Sequence, residues 1–149
     1  MRIVLDTNIL VRANARARGP ARELLDRIVR SPKHALLLSP FLLEELERVF
    51  SYERVRASSK LTDEEVAQYL SYLQAKDVTE MVFPGPAPRV VPFDPDDDPV
   101  VHAAVIGRAD ALCTLNRHFY DSKVLVYCRE RGVVIAGDVE VLNLLRLVD

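Results

Sequence analysis

Long apolar runs are missing from this chain. None approaches the ~20 residues that a bilayer-spanning helix needs, so a membrane span is not expected. The amino-terminal run Met1-Arg2-Ile3-Val4-Leu5-Asp6 meets a charge too early for a secretory leader. Cysteine is scarce: Cys113 and Cys128 are the only two, each in an apolar stretch and without C-x-x-C spacing. Both read as buried free thiols of a reducing compartment. The three histidines, His34, His102 and His118, have no zinc-ligand spacing, and His34, just ahead of a strand, reads as a surface residue. There is no glycine-rich phosphate loop, no dinucleotide-binding turn and no nucleophile elbow, which disfavours the folds and enzymes that depend on them. A surplus of charge is also absent. With 20 basic against 22 acidic residues the net charge is -2, so contact with nucleic acid would need a local basic patch. A soluble, cytoplasmic protein is expected.

What is present suits one domain over residues 1–149, with 49% hydrophobic and 28% charged residues. Arg2 to Leu5 reads as a buried strand that stops at the polar turn Asp6-Thr7-Asn8. Ala35 to Leu38 and Ala111 to Thr114 read as further buried strands, Val133 to Ile135 as a last one, and Val90 to Phe93 as a short one. Thr79 to Phe83 is an ambiguous extended piece. Helices are expected from Ile9, from Pro20, from Pro40, from Thr62 to about Ala75, from Val100 to about Arg108, from Phe119 to Arg131, and through Leu147 from a cap at Asp138. Thr62 with Glu65 is a capping box, and Gly132 is placed to end a helix. Strands alternating with helices predict a parallel sheet covered on both faces, with function gathered at the carboxyl ends of the strands.

Four acidic positions stand out. Asp6 directly follows an apolar strand, Glu45 lies on the helix after the second strand, Asp98 begins a helix, and Asp110 precedes a strand. Each has a plainer reading. Asp6 can be only a helix cap, Asp94-Pro95-Asp96-Asp97-Asp98 a solvated turn with a cap, and Glu44, Glu45 and Glu47 surface charges. Asp110 should sit at the opposite end of the sheet and serve structure. Together, carboxylates converging on strand ends repel each other unless a cation lies between them. Hard ions such as Mg²⁺ or Mn²⁺ favour a few oxygen ligands and can activate water at a phosphate. Arg12, Arg16 and Arg18, Arg54 and Arg56, and Arg117 are either phosphate contacts or a solvated face.

Ile3-Val4-Leu5-Asp6-Thr7-Asn8, then Ser39-Pro40 with Glu45-Leu46, then Asp94-Pro95-Asp96-Asp97-Asp98-Pro99-Val100 and Ala109-Asp110-Ala111-Leu112-Cys113-Thr114, resemble the PIN domain in order and spacing. The nearest flavour is similar to VapC-type toxins. That resemblance implies a three-layer α/β/α fold and a metal-dependent ribonuclease acting on single-stranded RNA. It assigns Mg²⁺ or Mn²⁺ to Asp6, Glu45 and Asp98, and implies a frequent homodimer with a cognate antitoxin blocking the site. Apolar residues on the helix after Thr62 are a candidate dimer face. One segment departs from the pattern. Where the family shows Thr-Gly-Asp-x-Asp-Leu, this chain has Thr114-Leu115-Asn116-Arg117-His118-Phe119. Asn116 retains a carbonyl oxygen without the charge, and His118 is a candidate phosphate or base contact. Asp121 is a possible substitute for the missing carboxylate. The departure leaves open a catalytically weakened module that binds RNA or protein without cutting.

Overall fold

Strand β1 (Arg2–Leu5) is apolar at consecutive positions, and Ile3, Val4 and Leu5 are all buried. Successive strand residues point to opposite faces, so such a run is stable only with both faces covered. β2 (Ala35–Leu38) and β4 (Ala111–Cys113) have the same character. β3 (Thr79–Met81) and β5 (Val134–Ala136) are more exposed, as edge strands. The computed structural model describes Met1–Asp149 and joins these strands in one all-parallel sheet of order β3-β2-β1-β4-β5. Helices on both faces complete the α/β/α sandwich expected from the sequence. No helix is long and apolar enough to cross a membrane.

The helices are α1 (Thr7–Arg12), α2 (Pro20–Arg30), α3 (Pro40–Phe50), α4 (Glu53–Ser59), α5 (Asp63–Leu73), α6 (Asp98–Ile106), α7 (Ser122–Glu130) and α8 (Asp138–Val148). Ser39 caps α3 by accepting the Leu42 amide at 3.2 Å, and Leu42, Leu46 and Phe50 form its buried stripe. The Thr62–Glu65 capping box forms in both directions at 3.1 Å. Gly132 follows α7 with φ +80°, a conformation that a side chain would strain.

Several boundaries differ from expectation. Val90 to Phe93 is a loop, because the amides of Val90 and Val91 bond to the Asp98 side chain and not to a strand. Residues Arg117–Tyr120 form a 3-10 turn, and Asp121 caps α7 through the Lys123 amide at 3.0 Å. Asp138 is the first residue of α8, not its cap, which is Gly137. α4 was not expected; it buries no residue and so has no periodic signature. His34, expected at the surface, has a side chain enclosed between the Met1 amine at 2.9 Å and Asp149 at 2.7 Å. Cys113 and Cys128 are free and buried, as read from their surroundings.

Candidate metal centre

Chain order and sheet order part company at β1. From β1 the sheet grows through β2 to β3, then resumes on the other side with β4 and β5. The crevice at such a reversal, outside the carboxyl ends of β1 and β4, is where parallel α/β sheets bind ligands. Asp6 ends β1 there, with its amide bonded to the Cys113 carbonyl at 2.9 Å. Its side chain caps α1 by accepting the Thr7 amide at 2.8 Å, and its other oxygen accepts the Thr114 hydroxyl at 2.7 Å. The residue is only 4% exposed. Burial pushes its carboxyl up to about 6; the bonds from Thr114 and Thr7 oppose this, and the charges of Glu45 and Asp97 add to it.

Glu45 reaches the crevice from α3, one position before the buried Leu46, and accepts the Thr7 hydroxyl. Asp97 enters from the turn ahead of α6. Burial raises its pKa, the His118 contact opposes this, and the charges of Asp94 and Glu45 add to the rise. Asn116 donates its amide nitrogen to the two Asp97 oxygens at 3.5 and 3.4 Å, and His118 Nδ1 lies 3.3 Å from Asp97. Thr114 also accepts the Asn116 amide at 3.0 Å, so one hydrogen-bonded chain links Asp6 to Asp97. Asp94, Asp97 and His118 hold one ligand atom each within 4.8 Å of the others.

Two expectations about the site need correction. Asp98, expected beside Asp6, is turned away and only 3% exposed. Its carboxylate accepts the amides of Val90 at 2.9 Å and Val91 at 2.7 Å and pairs with Arg89 at 2.5 Å. Burial works against its charge, but these three bonds outweigh it and leave the carboxyl below its ordinary value. Asp97 stands in the crevice instead. Asn116, expected to offer its carbonyl oxygen to the ion, uses that oxygen to accept the His118 amide at 3.1 Å. Its amide nitrogen faces Asp97 and steadies a carboxylate. Asp6 and Glu45 lie where their positions implied.

Asp110 bonds to the Arg2 amide at 2.7 Å, at the opposite end of β1. His102 contacts the Pro84 carbonyl at 3.1 Å. Among the basic residues, Arg16 is paired with Glu65 at 2.8 Å and Arg56 with Asp63 at 2.5 Å, while Arg12 lies 3.9 Å from Asp138. Nothing in the residue pattern marked Thr114 as the clamp on Asp6. The run Asp94 to Asp98 did mark the right turn, without saying which carboxylate faces inward.

The crevice thus presents oxygen donors from three separate elements, and burial, reinforced by the charges of neighbouring carboxylates, raises the pKa values of Asp6 and Asp97. A hard divalent cation fits that donor set. Fold and site together define a parallel α/β domain with an acidic pocket at its switch point. The PIN domain profile matches residues 2–118, which include every residue of this pocket, and the chain belongs to the PIN domain family. PIN domains are generally nucleases and typically use divalent metals. Its fold is similar to that of a chain in the crystal structure of VapBC2 from Rickettsia felis bound to a DNA fragment from their promoter. The TM-score is 0.56 at 17% identity, covering 92% of this chain and 98% of that one. No curated protein matches the sequence significantly.

Proposed function

We propose that the chain is a Mg²⁺- or Mn²⁺-dependent endoribonuclease that cleaves single-stranded RNA in the cytoplasm, as the toxin of a toxin–antitoxin pair. The observation that carries this reading is the meeting of Asp6, Glu45 and Asp97 at the β1–β4 crevice of a PIN domain. Asp6 and Asp97 would hold the ion. Thr7 and Thr114 fix Asp6, while Asn116 and His118 fix Asp97, so both carboxylates are oriented before substrate arrives. Glu45, held by the Thr7 hydroxyl, would accept a proton from the attacking water or complete the ion's ligands. When bound, the ion supplies Lewis acidity to the scissile phosphate and lowers the pKa of water. A homodimer and a cognate antitoxin that covers the crevice belong to the same proposal.

The test is cleavage of single-stranded RNA with Mn²⁺ present, beside single-stranded DNA and simple phosphate esters. Wild type should cut RNA and stop when the metal is chelated, and Asp6→Asn should reduce cleavage to background. Undiminished cleavage by that variant would remove the mechanism. A second reading has a specific observation behind it. Asn116 and His118 stand where the family pattern, as noted above, shows two aspartates, so the pocket has less negative charge. In that reading the domain binds RNA or protein without cutting, and wild type is inactive at every metal concentration.

A further inference from the structure

Phe93 is 65% exposed, in the loop immediately before Asp94. Burying a phenylalanine stabilises a fold by about 1.5–3 kcal/mol, so folding does not account for a ring left in water beside an acidic pocket. The ring is not isolated. Its centroid lies 5.7 Å from that of His118, with the planes inclined at 35°. His118 is itself fixed, by Asp97 on Nδ1 at 3.3 Å and by Asn116 on its amide at 3.1 Å. The backbone under Phe93 is steadied next door, where Asp94 accepts the Asp96 amide at 2.9 Å. Two aromatic rings therefore stand against the Asp97 side of the crevice, one held by the carboxylate and the other open to solvent.

From this juxtaposition we infer that Phe93 and His118 form a stacking platform for an unpaired nucleobase of the substrate, next to the phosphate that is cut. Every base has a π-face, and stacking on aromatic side chains tolerates any sequence. A base inside a duplex already has both faces covered, so the platform selects unpaired nucleotides. Seating the base would hold the adjoining phosphodiester over Asp6, Glu45 and Asp97. The purpose of the platform rests on the nuclease reading proposed above, but its existence can be tested without cleavage.

The chain contains no tryptophan, so Phe93→Trp places the sole indole at the platform. In a protein that also carries Asp6→Asn, short single-stranded RNA should quench the emission saturably. The same sequence as a blunt duplex, and an abasic ribose-phosphate oligomer, should leave it unchanged. Phe93→Ala should weaken binding of the single strand by about five- to a hundredfold, with thermal unfolding unchanged because the ring is exposed. In the active protein it should raise KM and spare kcat. Emission indifferent to single-stranded RNA, equal quenching by the abasic oligomer, or wild-type affinity in Phe93→Ala would overturn the platform. Should wild type fail to cut RNA while single strands alone quench the indole, the platform stands and the nuclease reading falls. Should wild type cut RNA with KM unchanged in Phe93→Ala, the reverse holds.

Discussion

Between Asp97 and Asp98 the chain enters α6, where each residue advances by roughly 100° around the axis. Two adjacent carboxylates therefore leave in different directions, one to the crevice and one to the amides of Val90 and Val91. Sequence alone marks the acidic run but not its rotation, because the rotation is set by where the loop before it must be tied down. The consequence is a paired prediction. Asp97→Asn should abolish Mn²⁺-dependent RNA cleavage with little effect on folding. Asp98→Asn should lower stability by about 1–3 kcal/mol, through loss of charge-assisted bonds, and leave kcat within about tenfold of wild type. Thermal unfolding and steady-state kinetics on both variants check this, and the opposite pattern would restore Asp98 to the pocket.

Asp6 yields a prediction about pH. Its carboxyl sits at about 6 in the folded protein, above its ordinary value of about 3.9 in an unfolded chain. The native state thus holds this proton more tightly. The stability it contributes is fully present below about pH 4 and lost as pH rises through about 6, an effect on the order of 3 kcal/mol. Metal-free protein should lose this stability between about pH 4 and 6, and Asp6→Asn should flatten that slope. Asp98, whose pKa is depressed, acts in the other direction, losing its contribution only as pH falls through its lowered value. Urea unfolding across this window is the measurement, and a slope unaffected by Asp6→Asn would contradict the burial argument.

At the scale of elements, the strands were the most legible part. Ile3-Val4-Leu5, Leu36-Leu37-Leu38 and Ala111-Leu112-Cys113 are apolar without alternation, and only a sheet buried on both faces suits them. Caps were legible too, since Thr62 with Glu65 and Ser39 with Pro40 are local chemistry. α4 was not, because it buries nothing, and the loop of Val90 and Val91 was not, because β-branched residues there satisfy a distant carboxylate. The end of α6 is held against β2 by close packing at Gly107. A Cβ there would lie 2.9 Å from the Ala103 carbonyl, 3.0 Å from Leu37 and 3.1 Å from Val82. Gly107→Ala should therefore cost about 1–3 kcal/mol. Its unfolding midpoint should fall by several degrees, while a midpoint at or above wild type would mean that α6 can slide on the sheet.

For the whole molecule, the governing feature is the reversal of strand order at β1, which opens a crevice that Asp6, Glu45 and Asp97 enter from three directions. Asp6 and Glu45 were readable from their places after β1 and β2. Asp97, Thr114 and the contact of His118 with Asp97 were not, since they depend on how distant segments close over the sheet. The most direct measurement is a calorimetric titration of the metal-free protein with Mn²⁺ at about pH 7.5 and again at about pH 5.5, where proton competition at the carboxylates should be felt. Wild type should show saturable binding that weakens at the lower pH, and Asp6→Asn should show none. Absence of heat from wild type at millimolar metal, or equal binding by Asp6→Asn, would contradict the account.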